Sequence, residues 1–167
     1  VQKVVLRNQT LSRAVLAILN SRLMDWCFRK TSTNNHVGGY ELEALPMPTE
    51  IPPSVESVLT QLASFRLSLA EEGEGTVSAF IDSVIDACVM ELYFAQHMAE
   101  RKLSITAAVR ALLPANVADL SQAEQAAAAL AFYRTANESS HPIRNTLLRI
   151  PADSPDLLAV IQREGAV

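Results

Sequence analysis

Residues 76–93 read TVSAFIDSVIDACVMELY, and this stretch decides the fold class. Val77, Phe80, Ile81, Val84, Ile85, Cys88, Val89, Leu92 and Tyr93 recur every three or four positions. That spacing gathers them on one side of a helix, a broad apolar stripe that has to be covered by other elements. Thr76 opens this helix, the longest that the pattern predicts.

The same period continues on both sides. Upstream, Ser54 is placed to cap a helix with Val55, Val58, Leu59, Leu62, Phe65 and Leu69 inward, ended by the Glu/Gly run at 71–75. Downstream, a shorter helix begins near Thr106 and stops at Pro114, where the ring would block a further turn. Ser121 and Glu124, three residues apart, form a capping box for the alanine-rich helix that ends near Asn137. His141-Pro142 reads as a turn. Ser154, Pro155 and Asp156 supply an N-cap, an N1 proline and a first-turn acid for a last helix, with Gly165 past its end.

Toward the N-terminus, Thr10 or Ser12 opens one helix running to about Arg29. Leu11, Val15, Leu16, Ile18, Leu19, Leu23, Trp26 and Cys27 form its apolar arc. Gln2 to Arg7 is rich in β-branched residues and reads as a short strand. A second is expected where Tyr40, Leu42 and Leu45 alternate with Glu41 and Glu43. Pro46, Pro48, Pro52 and Pro53 then stiffen an extended connection, and a domain boundary is placed near residue 50. The expected architecture is mainly α, a helical domain of about five or six helices with a short β element. Residues 1–50 and 51–167 form its two parts.

Composition narrows the function classes. Hydrophobic content of 49% with 19% charged residues describes a chain that buries a core. No apolar run reaches the roughly 18 residues that span a bilayer. The opening Val-Gln-Lys-Val-Val-Leu-Arg carries neither a starting methionine nor a signal peptide and reads as strand interior, which points to a piece of a longer polypeptide. Cys27 and Cys88 both lie in apolar helical patterns, as reduced core thiols do, and a cytoplasmic setting follows. The net charge of −4 is uneven: residues 1–40 hold Lys3, Arg7, Arg13, Arg22, Arg29 and Lys30 against Asp25 alone. That segment carries +5 and the remainder −9. Phosphate is repelled by the acidic remainder, so a nucleic-acid contact belongs to the first 40 residues.

Within that basic segment, Arg29-Lys30-Thr31-Ser32 leads into Asn34-Asn35-His36 and Gly38-Gly39-Tyr40. Asparagine can pair bidentately with adenine and arginine with guanine, and the cations can meet phosphate. The same residues also serve a purely local purpose, since Asn and Gly favour turns and Arg-Lys at a helix C-terminus opposes its dipole. Both readings stand for this loop. Trp26, Phe28 and Tyr40 read as core rather than as base-stacking platforms, and Met24, Met47, Met90 and Met98 as gap-fillers.

The order of these elements, Leu19-Asn20-Ser21, then Trp26 and Phe28, Arg29-Lys30, the polar loop with Gly39-Tyr40, and Leu45-Pro46-Met47-Pro48, resembles the TaqI-like C-terminal specificity segment of adenine-specific DNA methyltransferases of type II restriction–modification systems. The resemblance covers about residues 10–48. It implies a parent enzyme that moves a methyl group from S-adenosylmethionine to the adenine amino nitrogen, on a base flipped out of the stack. It also implies DNA contacts at Arg29, Lys30, Thr31, Ser32, Asn34, Asn35, His36 and Tyr40. The implied partners are DNA, reached through the parent enzyme, and an N-terminal methyltransferase domain of the same polypeptide. A related resemblance, to type I specificity subunits, is weaker because no single long spacer helix is patterned here.

The catalytic half of that family is missing. Its Asn/Asp-Pro-Pro-aromatic loop has no counterpart, because the one Pro-Pro pair, Pro52-Pro53, is flanked by Ile51 and Ser54. Gly38-Gly39 and Gly73-Glu74-Gly75 lack a cofactor-loop pattern. His36, His97 and His141 lack partners at metal-ligand spacing, and His97 reads as a surface residue near a helix end. The segment itself is expected to be catalytically silent and to need no cofactor. An orphaned first strand would also offer an edge to a second copy and give a homodimer of the fragment. The competing function class is a stand-alone helical protein–protein interaction module, to which long apolar stripes and an acidic surface are equally suited.

Overall fold

The computed structural model describes residues 9–31, 41, 43–69 and 75–162. Among them are nine α-helices: α1 (Gln9–Leu19), α2 (Arg22–Thr31), α3 (Pro53–Ser68), α4 (Thr76–Tyr93), α5 (Ala95–Glu100), α6 (Thr106–Leu112), α7 (Gln122–Ala136), α8 (Pro142–Asp153) and α9 (Pro155–Gln162). The protein is mainly α, as its periodicity predicts.

Helix α4 is the axis. It touches α1, α2, α3, α7 and α8, and Ile81, Val84, Ile85, Cys88 and Val89 of its stripe are buried. Ala87 and Met90 are buried as well, so neighbours cover α4 on more than one side. Helix α1 lies along α3, the most extensive pairing among the described helices. Phe65 is fully buried, its ring centroid 6.0 Å from that of Phe132 on α7. Phe80 meets Tyr133 edge-on at 5.2 Å, which ties α4 to α7 by a favoured aromatic geometry. Ala14, Ile18, Leu23, Met24 and Leu45 belong to the same apolar cluster as the later helices. The core therefore crosses residue 50.

Several elements differ from the sequence expectation. The helix expected over 10–29 is two helices, broken at Asn20-Ser21. The Asn20 side-chain amide donates to Leu16 O at 2.8 Å, and Ser21 Oγ donates to Ile18 O at 2.7 Å. Such local bonds give the backbone an alternative to the helical ladder. Ser21 O then accepts from Asp25 N at 3.0 Å, which restarts the helical ladder as α2. The described residues contain no strand: Glu41 and Glu43 are helical, and Glu41 is buried where alternation would expose it. A lone strand leaves its backbone groups unpaired, whereas a helical turn bonds them internally. The other expected strand, Gln2–Arg7, lies outside the described residues.

Helix starts also shift. Helix α3 begins at Pro53 with Pro52 as its N-cap, so the Pro-Pro pair is a helix entry and Ser54 lies inside. The segment expected to be a turn at His141 opens α8: His141 Nδ1 accepts from Ile143 N at 3.3 Å and Pro142 takes the first turn. The capping box of Ser121 and Glu124 forms as predicted, with both reciprocal bonds present.

Tertiary contacts supply caps that no local pattern shows. Ile105 cannot cap α6 with its own side chain. Glu91 of α4 does so instead, its Oε2 accepting from Ile105 N, Thr106 N and Thr106 Oγ1, each at 2.8 Å. Helix α5 ends on Lys102 in the left-handed region, φ 55°, with Lys102 N donating to Ala99 O and Leu103 N to Met98 O. Arg149 of α8 donates to the carbonyls of Arg101 and Lys102 at the same helix end.

Candidate functional site

Helix α2 leads directly into the segment singled out for DNA contact, and it is held at its start by a neighbour. The first-turn amides of a helix lack intrahelical partners. Asp86 of α4 supplies one: its Oδ1 accepts from Arg22 N at 2.8 Å, and its Oδ2 lies 3.2 Å from Arg22 Nε. The two partners differ in environment, since the Arg22 side chain is 68% exposed and that of Asp86 is 17% exposed. Burial pushes the Asp86 carboxyl up to about 6. The Arg22 amide and guanidinium pull it down without prevailing, and the charge of Asp82 adds to the rise.

Along α2, Leu23 and Met24 are buried, and Trp26, Cys27 and Phe28 pack half-buried against the core. The aromatic residues of this helix are thus core elements, in keeping with the packing side of their sequence reading. Helix α9 covers α2 from another direction. At the far end, Arg29 bonds Asp25 one turn back, Nε to Oδ1 at 3.0 Å and Nη2 to Oδ2 at 2.7 Å. Arg29 and Lys30 are exposed on the final turn, and Thr31 is its last residue. Ser32, Asn34, Asn35, His36 and Tyr40 lie outside the described residues. Two of the eight sequence candidates, Arg29 and Lys30, therefore share one solvent-facing helix end.

Beyond Leu45, Pro46 O accepts from Tyr93 Oη at 2.8 Å, which fastens the Leu-Pro-Met-Pro segment to the end of α4. Burial raises the Tyr93 hydroxyl to about 12, so it remains a donor at any physiological pH.

A cleft opens beside the Arg22–Asp86 pair. It has a volume of about 450 Å³, within the range of ligand pockets, and it separates α4 from α8 and α9. Phe80, Met90, Leu147 and Leu158 give it apolar walls, with Asp86 and Arg144 among its few charges. A second depression, about 510 Å³, lies on the other side of Arg22 between α1, α3 and α4. Asp82 and Arg66 pair across it at 2.9 Å. Sequence reasoning did not mark this cleft, because its walls come from helices that are far apart in the chain.

Other chemistry is thin. His97, expected at the surface, is half-buried in α5, its Nε2 2.9 Å from Ser154 Oγ. Arg101 Nε donates to Asp153 O at 3.0 Å beside it, so this pair joins α5 to the α8–α9 corner. Among the described residues no group of His, Cys, Asp and Glu is placed to hold a metal ion. Neither Cys27 nor Cys88 is in a disulfide. No helix of the described residues is long and apolar enough to cross a membrane. The chain matches no family model, no curated protein and no solved structure.

Proposed function

We propose that this chain is the non-catalytic C-terminal part of a restriction–modification adenine DNA methyltransferase. In this reading residues 1–50 complete the target-recognition domain and residues 51–167 are a helical extension that braces it. The observation that carries the reading is the mounting of α2. Its start is pinned by Asp86 and its apolar face is sunk in the core of the later helices. The basic end at Arg29-Lys30 is thereby presented from a rigid body, as a base-reading element has to be. The specificity contacts would come from Arg29, Lys30, Thr31, Ser32, Asn34, Asn35, His36 and Tyr40. Methyl transfer and S-adenosylmethionine belong to an N-terminal domain of the same polypeptide, in a cytoplasmic setting.

The test is a footprint of the intact parent enzyme on duplex DNA, with Asn34, Asn35 and His36 changed to Ala together. Loss of the selective footprint is the expected result, and an unchanged footprint removes this loop from recognition. Neutralising Lys30 (Lys30→Gln) should flatten the logarithmic salt dependence of DNA binding by about one unit, as one lost phosphate contact does. The reading frame upstream of Val1 is a further check, since the proposal requires an Asn-Pro-Pro-aromatic motif there.

A second reading, a helical protein–protein interaction module without a nucleic-acid role, is favoured by the apolar cleft between α4, α8 and α9. Association through that cleft would persist as salt rises, unlike phosphate contacts.

A further inference from the structure

The cleft and the depression beside it adjoin at the Arg22–Asp86 pair, which lines both, and together they make a two-part groove. Its apolar surface is open to solvent at Leu148, 63% exposed, in the cleft, and at Leu67, 49% exposed, in the depression. The charges along it are unequally matched. Arg22 is paired with Asp86 and Arg66 with Asp82. Arg144 lines the cleft and has no hydrogen-bond or ion-pair partner among the described residues. A guanidinium held against apolar walls loses hydration, and an incoming carboxylate returns that loss as a charge-assisted, bidentate bond.

We infer that this groove receives an acidic amphipathic helix of a partner segment, with bulky apolar side chains in the cleft and a carboxylate on Arg144. Charge complementarity selects this occupant: the unmatched charge in the cleft is positive, although residues 41–167 as a whole are acidic. Length selects it as well. Two adjoining depressions, each with room for several side chains, suit the spaced i, i+3, i+4, i+7 anchors of a helix better than one compact small molecule. The other charges along the groove are already matched, Arg22 by Asp86 and Arg66 by Asp82, which leaves Arg144 as the cation open to an incoming carboxylate. The inference is independent of the DNA reading, since none of the groove residues belongs to the proposed DNA contacts.

The experiment is selection of a phage-displayed library of helical peptides on the full chain, followed by affinity measurement of the enriched peptides. Enriched sequences are expected to carry large apolar residues at helical spacing beside Glu or Asp. Arg144→Gln should weaken their binding about tenfold or more, the scale of one lost charged contact. Arg144→Glu should turn the selection toward Lys- and Arg-flanked peptides, and Leu148→Glu should abolish binding. Both positions face solvent or the cleft, so these variants keep the wild-type urea midpoint and the DNA-binding salt slope. No enrichment over an unrelated helical protein, enriched peptides without an acidic bias, or an affinity indifferent to Arg144 would each overturn the proposal.

Discussion

Replacing Asp86 by Asn isolates the electrostatics of the α2 anchor. The amide oxygen of Asn can still accept from Arg22 N, so the helix cap is kept while the charge is removed. In the folded chain burial raises this carboxyl from its ordinary 3.8 to about 6. The folded state therefore binds this proton more tightly than the unfolded state. The associated stability is fully present below the unfolded value and is lost as pH rises through about 6. A rise of about two units corresponds to about 3 kcal/mol across that window. The opposing ion pair is already included in the raised value and contributes below about 1 kcal/mol, because the Arg22 guanidinium is mostly in water. Urea unfolding followed by circular dichroism from pH 4 to pH 8 measures the effect for wild type and Asp86→Asn. The stability difference, variant minus wild type, should climb by about 2.5 kcal/mol over that range at unchanged m-value, the remainder falling below pH 4. A difference flat to within about 0.5 kcal/mol, or one that falls with pH, would refute the assignment of Asp86 as a charge held at a desolvation cost.

Three other outcomes follow from the packing. Phe65→Ala empties a fully buried site against Phe132 and should cost about 3–5 kcal/mol in the same urea assay. Glu91→Ala removes the acceptor of three hydrogen bonds at the start of α6, and a loss of about 2–3 kcal/mol is expected, with early amide exchange at Ile105 and Thr106 as its local signature. Burial pushes the Cys88 thiol up to about 12, so at pH 8 Cys88 should react with a disulfide reagent no faster than the chain unfolds; rapid labelling of the native protein would contradict its buried placement.

Much of the helical body is legible in the residues alone. The stripe from Val77 to Tyr93 is a long helix, and Ser121 with Glu124 is a capping box, because both depend on neighbours within one or two turns. The break at Asn20-Ser21 was visible in kind, as two residues that bond their own backbone, but an unbroken apolar arc across it concealed the restart. Helix α8 is hidden in the sequence because His141-Pro142 reads as a turn, and Pro151 interrupts the pattern near its end, although Ile143, Leu147 and Ile150 recur at helical spacing. It exists where Ile143 and Ile150 can be buried by neighbours. Of the candidate site, the basic residues Arg29 and Lys30 were evident as charges, but their mounting was not.

That mounting depends on residues far apart in the chain. Local periodicity, caps and the run of prolines decide which segments are helical, since those energies are set within a few residues. Asp86 lies 64 positions from Arg22, and Glu91 lies 14 and 15 from the amides it caps. The cleft takes Phe80, Arg144 and Leu158 from three helices. No local signal ranks such partners, because a carboxylate or an arginine on a helix reads the same whether it meets solvent or a distant backbone. Only the packing of α4 against α2 and α8, and of α9 on both of those, determines which polar groups share a boundary, and hence where charge is matched, where it is desolvated, and where Arg144 has no partner among the described residues.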